Sequence, residues 1–374
     1  MAQPRVTGLS GNEVFCMKLR GFSPSGLVVG NSVQSMGLIG SLGSAFRGVL
    51  GGEVPSITSM IHDGRASAFE RMRQEARREG LHGIVGVSSE LRSLAGNSEF
   101  LCVGSGVISE SACTGFSSAG DAQELYCHMD AGYVPVEFVF GNIAYAVGAV
   151  RGLTGFLKTL VRGEIKEFSD VFNATRHDAL ARLTAQAKAA GANSVVGIRT
   201  TVMRFGGVHE MFMTGTAANH PALADTPETV SSDLTGEELW ALSHLGYVPV
   251  KLLMSTAVYS LGALGGLKAA FKGLVKGEIS ELTSLIYDAR EHVFDRLQSE
   301  AEAAGAEEVV GVKTYIIELG GGLVELVAIG TAVRKHSGAG VASDALPAQA
   351  IIRDRDTWLS GEGGLDLVTL RAGG

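Results

Sequence analysis

"LVKGEISELTSLIYDAR" (274–290) has two echoes in the chain, "LVRGEIKEFSDVFNATR" (160–176) and "VLGGEVPSITSMIHDGR" (49–65). Each sets Gly-Glu ahead of an apolar spacing and closes on Arg. The Gly-Glu pairs at 52–53, 163–164 and 277–278 are offset by 111 and then 114 residues. The same offsets carry Gly21 to Gly132 and Gly246, Pro24 to Pro135 and Pro249, and Gly80 to Gly191 and Gly305. A register held at so many positions is an internal repeat. The units span 12–110, 123–219 and 237–336, and the first is the most divergent. "SACTGFSSAGD" and "NHPALADTPETVSSDLTG" join them, both rich in small and turn residues. Residues 337–374 show no sustained period and read as a flexible C-terminal tail.

The second unit is the clearest. "VPVEFVFG" (134–141), rich in Val and Phe, predicts a strand. "AYAVGAVRGLTGFLKTLVRG" (144–163) has a helical period. "EIKEFSDVFNATRHDALARLTAQAKAAG" (164–191) predicts a second helix, with Gly191 placed for a left-handed C-terminal cap. "SVVGIRTTVMRF" and "HEMFMTGTAA" predict two strands joined by a hairpin turn at "FGGV". The fold class is therefore α+β: three tandem two-layer α/β units, each β-α-α-β-β. Helices on one side of so small a sheet leave strand edges bare. Such edges predict pairing between units or between chains.

At this point the residues resemble a known family. "AREHVFDRLQSEAEAAGAEEVVGVKTY" (289–315) with "VAIGTAVRK" (327–335), and "ATRHDALARLTAQAKAAGANSVVGIRTT" (174–201) with "MTGTAA" (213–218), are similar to the YbjQ family of small bacterial proteins. "VVGNSV" (28–33) and "VFGNIA" (139–144) resemble the end of that family's first strand. The resemblance covers all three units. It implies a dodecin-like subunit that assembles into pentameric rings, a "heavy-metal-binding domain" label, and no settled activity. Three tandem units depart from that pattern, because whole three-unit chains cannot form one five-membered ring. Five chains in three stacked rings, or a ring of another size, are the arrangements to expect.

Composition narrows the function. The net charge of −8, with no long basic run, argues against nucleic acid as a partner. Four cysteines without a Cys-x-x-Cys pair read as reduced thiols, and the N-terminal stretch lacks an apolar signal core, so a cytoplasmic location is expected. Neither a G-x-x-x-x-G-K-[ST] nor a G-x-G-x-x-G motif occurs. The neighbouring pairs His62-Asp63, His177-Asp178 and Glu291-His292 diverge on helices, with no nucleophile beside them. An enzyme is not expected.

The remaining candidates are metal ligands and recurring charges. Cys127-His128 is the one adjacent Cys–His pair; on a strand the two would point to opposite faces. Cys16 matches Cys127 across units, but Ala241 stands at that place in the third. Cys16, Cys127 and His128 are weak metal candidates, and the cofactor, if any, would be a divalent metal held between subunits. Glu53, Glu164 and Glu278 are each expected to open a helix as partners of its dipole, or else to ring an assembly axis and hold a cation. Arg65, Arg176 and Arg290 recur, as do Arg71, Arg182 and Arg296; salt bridges between units or anion contacts are their expected roles. Lys268, Lys272 and Lys276 make one helical face suited to an anionic membrane surface. The leading expectation is a non-enzymatic, homo-oligomeric scaffold or small-ligand or ion-binding protein. A heavy-metal-binding protein and a peripheral membrane adaptor are the alternatives.

Overall fold

The computed structural model describes residues 5–35, 52–94, 97–109, 115–146, 163–205, 208–260, 280–320 and 323–347. Unit 1 comprises α1 (Gly11–Leu19), β1 (Phe22–Gln34), β2 (Gly52–Glu53), α2 (Pro55–Arg78), β3 (Gly83–Leu94) and β4 (Asn97–Ser109). After the short β5 (Phe116–Ser117), unit 2 comprises α3 (Ala122–Asp130), β6 (Val134–Ala146), β7 (Gly163–Glu164), α4 (Lys166–Ala189), β8 (Ser194–Phe205) and β9 (Val208–Asn219). After β10 (Val230–Ser231), unit 3 comprises α5 (Gly236–His244), β11 (Tyr247–Ser260), α6 (Ser280–Ala303), β12 (Glu308–Gly320) and β13 (Leu323–Lys335). These are three tandem α+β units of one design.

Each long helix follows from its sequence. α2 buries Ile57, Ile61, Ala68, Met72 and Ala76, a stripe at helical spacing. α4 buries Phe172, Ala179, Leu180, Leu183 and Ala187 in the same way. Gly80, Gly191 and Gly305 follow the three helices with φ of +68°, +79° and +67°, the left-handed turn that a side chain resists. The strands then form antiparallel hairpins, β3 with β4, β8 with β9 and β12 with β13. The first strand of each unit completes the sheet by pairing with the last.

Two departures from the sequence expectation change the picture. First, a nine-residue helix opens each unit. Ser10 with Glu13 and Thr235 with Glu238 form reciprocal capping boxes, and Asp121 caps the middle one. Cys127 and His128 consequently lie on a helix, not a strand. Second, the helix expected over 144–163 is displaced at both ends. Ala144–Ala146 continue β6 and Gly163–Glu164 form β7, while 147–162 lie outside the described residues. Strand pairing on both sides of Tyr145, with His209 and with Glu53, overrides the helical period there.

The sheets are shared between units. Strand orders are β1-β4-β3-β5, β2-β6-β9-β8-β10 and β7-β11-β13-β12. Thus β2 of unit 1 extends the sheet of unit 2, and β7 of unit 2 extends the sheet of unit 3. In the reverse direction, β5 and β10, which precede units 2 and 3, pair in parallel with β3 and β8. The cores are shared as well. One cluster joins Ile61, Phe69 and Met72 of α2 to Phe138, Phe140 and Phe212 of unit 2. Another joins Phe172, Leu180 and Leu183 of α4 to Leu252, Met254 and Val258 of unit 3. Each of these helices is therefore sandwiched between its own sheet and the next.

The short helices gather about Asp130 at the end of α3. Its carboxylate meets Arg20 after α1, accepts Trp240 Nε1 of α5 at 2.7 Å, and accepts the backbone N–H of Ser343 at 3.1 Å. Burial opposes its ionisation, but the hydrogen bonds from Ser343 and Trp240 and the Arg20 charge hold its pKa below the usual value. The first stretch after unit 3 is thus tied down on the unit 2 helix, contrary to a tail flexible from 337 onward; 348–374 lie outside the described residues.

Candidate functional site

The recurring charges converge on the contacts between units. Arg65 of α2 is fully buried. It donates from Nε and Nη2 to the two carboxylate oxygens of Glu210 on β9, at 3.2 and 2.9 Å, and from Nη1 to the carbonyl of Ser89 at 3.2 Å. Its guanidinium lies 3.7 Å from the centroid of the Phe212 ring. Arg176 of α4 repeats the contact one unit on: Nε donates to Glu325 Oε1 at 3.0 Å, and Nη2 meets the same oxygen. Burial disfavours the Arg176 charge, but Glu325 beside it outweighs this and raises its pKa further. A forked guanidinium on a buried carboxylate fixes orientation as well as distance. The third arginine, Arg290, is exposed on α6 and has no carboxylate partner among the described residues.

The recurring glutamates do something the sequence did not show. Glu53 and Glu164 do not open helices. Each sits in a two-residue strand on the edge of the next sheet, Glu53 opposite Tyr145 and Glu164 opposite Tyr259. Their helices begin at Pro55 and Lys166, after Val54 and Ile165. The backbone of these two residues is bonded onward, by Val54 N to Ala144 O at 2.7 Å and Ile165 N to Val258 O at 2.8 Å. The carboxylates receive the second recurring arginine of the following unit. Arg182 Nη2 bonds Glu53 at 2.8 Å, and Arg296 Nη2 bonds Glu164 at 2.7 Å. Glu278 falls outside the described residues, as do Lys268, Lys272 and Lys276.

Polar side chains complete both contacts at matching positions. Thr58 accepts from Ala144 N at 2.9 Å, and Ser169 accepts from Val258 N at 2.9 Å. Helix and strand also approach closely: a Cβ at Gly141 would collide with the carbonyl oxygen of Ala179.

The weak metal candidates do not form a ligand set. Cys16 and Cys127 are buried together with Tyr126, and burial raises the pKa of both thiols, against the thiolate a metal needs. His128 is buried beneath Gly197. Burial, and then the Arg199 charge, push its pKa down to about 4, and neither ring nitrogen has a hydrogen-bond partner among the described residues. Among the described residues, no three His, Cys, Asp or Glu side chains come together as a metal site. No described helix is long and apolar enough to cross a membrane.

The acceptors Glu210 and Glu325 were missed in the sequence. Glu99, Glu210 and Glu325 are equivalent on the last strand of each unit, opposite Val33, Ala144 and Val258. The third hairpin carries a register shift between Glu318 and Gly320. That extra residue moves Glu325 out of the 114-residue offset and hides the match.

The profile of a family described as "Putative heavy-metal-binding" matches three times, at 22–110, 133–220 and 247–336. The chain belongs to the YbjQ family. The three matches coincide with the strand-to-strand bodies of the three units and leave out the opening helices. An encapsulin nanocompartment protein of Mycobacterium tuberculosis is 33% identical over 230 residues, 59% of this chain and 86% of the relative. A UPF0145 protein of Methanococcus maripaludis is 41% identical over 83 residues, 22% of this chain and 74% of the relative. Another, from Burkholderia multivorans, is 30% identical over 128 residues, 34% of this chain and 99% of the relative. The last two cover only about one unit of this chain each.

Proposed function

We propose that this YbjQ-family chain is a non-enzymatic, self-associating scaffold, three assembly units fused in tandem. The observation that carries this reading is the repeated contact. The polar groups that recur across units, Arg65 with Glu210 and Arg176 with Glu325, are used to join one unit to the next. A buried pair in which two guanidinium nitrogens reach one carboxylate gives orientation, which is what an assembly unit needs. The name of the Mycobacterium tuberculosis relative, a nanocompartment protein, supports an assembly role. Light scattering of the purified chain tests it: a mass above one copy of 38.9 kDa is expected, and a monodisperse monomer at all concentrations would overturn it.

A second reading, a metal held between copies, takes its support from the family description. Its test is direct: titration with Zn, Cu, Ni and Co would give saturable binding that depends on assembly.

A further inference from the structure

We infer that the two ends of the chain are complementary halves of the contact that joins its units, so that unit 3 of one copy docks on unit 1 of a second copy. The inference rests on the scaffold reading and names its partner and surface.

Four observations coincide. The first is the buried arginine lock. Arg65 and Arg176 find Glu210 and Glu325 in the next unit. Arg290 is exposed and Glu99, its sequence-equivalent target, is only half-buried, each without an ion-pair partner among the described residues. The second is the edge arginine. Arg71 is bonded to the carbonyl of Asn31, as Arg182 is to Asn142 at 2.9 Å and Arg296 to Thr256 at 2.8 Å. Among the described residues it has no glutamate such as the other two receive from the preceding unit; Glu278 is the equivalent residue in the sequence.

The third is strand count. Among the described residues the middle sheet has five strands and the end sheets four. Among the described residues, no strand stands beside β1 of unit 1, where β2 and β7 stand in the others. Nor, among the described residues, does one stand beside β12 of unit 3, at the place that β5 and β10 take beside β3 and β8. The stretch around Val6 is the equivalent of β5: Val6 O accepts from Leu27 N at 3.0 Å, where Ser117 Oγ accepts from Phe138 N at 2.8 Å. Val6 itself is exposed.

The fourth is the apolar face. Val29 is 42% exposed, whereas its equivalents Phe140 and Met254 are 2% and 0% exposed beneath the preceding helix. Phe294 on α6 is 43% exposed, whereas Phe69 and Leu180 are 6% and 5% exposed against the following sheet. Leu27 and Val33 beside Val29, and Tyr287 beside Phe294, are exposed too. One bare sheet face and one bare helix face thus carry the two halves of a contact already made twice within the chain. Large exposed apolar patches of this kind mark association sites.

The contact is heterologous, so it closes a ring or grows a filament, and either form holds a multiple of three units. Arg290→Glu, Glu99→Arg and the double charge-swap test it by light scattering over a concentration series. Circular dichroism melts confirm that each substitution leaves the fold intact. Each single variant is expected to weaken assembly by on the order of a hundredfold, and the charge-swap to restore it. If the wild type assembles and the single variants assemble equally well, the end-to-end contact is overturned while the scaffold reading stands. Singles that dissociate with no recovery in the charge-swap overturn the Arg290–Glu99 pairing. A monomeric wild type overturns both.

Discussion

Helices α4 and α6 are written in one register and live in different surroundings. Arg176 is 2% exposed and Leu180 is buried; Arg290 and Phe294, their equivalents, face outward. The residue types do not decide this; the presence of a following sheet does. A recurring charge is a structural pair where a neighbour supplies the carboxylate, and stands exposed where the described residues supply none.

The comparison can be broken most sharply at the arginines. Arg176→Ala strands Glu325 in a dry interior and is expected to cost about 3–5 kcal/mol. Arg290→Ala strands nothing within one copy and should shift folding stability by less than about 0.5 kcal/mol. Urea unfolding of the two variants at dilution where the chain is monomeric measures the difference. Equal losses would show that Arg176 matters for its own helix and not for the unit beyond it.

His128 sharpens the comparison through pH. Its folded pKa, about 4, lies below the unfolded value near 6.5. The unfolded chain therefore takes up a proton first as pH falls. Stability is full above pH 6.5, is lost between about 6.5 and 4, and levels off below, a loss of about 3 kcal/mol. His128→Leu should flatten that part of the stability–pH curve. An unchanged curve would assign the acid sensitivity elsewhere.

Smaller effects follow at the close approaches and edges. Gly141→Ala pushes a methyl into the backbone of α4 and is expected to cost about 1–3 kcal/mol. Arg182→Ala removes a partly exposed pair with Glu53 and should cost about 1 kcal/mol or less, measured by the same unfolding experiment. A loss at Arg182 as large as at Arg176 would make the sheet edge, not the helix face, the main joint between units.

The repeat, the three α+β units, the long helices and the hairpins were legible because each rests on a local period or a turn residue. The recurrence of the arginines was legible too, although their acceptors were not. The opening helices were missed because their signal is short: nine residues with a capping residue just before them. Glu53 and Glu164 were misplaced because a two-residue strand leaves no period to read, and its partner lies in another unit. Cys127-His128 shows the same limit. Its adjacency in sequence suggested ligands, but the packing of α1 against α3 reveals two buried thiols with Tyr126, while His128 is buried beneath Gly197.

Asp130 has a consequence for the chain as a physical object. Through Arg20, Trp240 and Ser343 it clasps residues from the first unit, the third unit and the stretch beyond. Ala224 and Asp225, between units 2 and 3, are exposed. A protease cut there would yield two polypeptides that still migrate as one particle under native conditions. Covalent continuity between the units would then be dispensable once folding is complete.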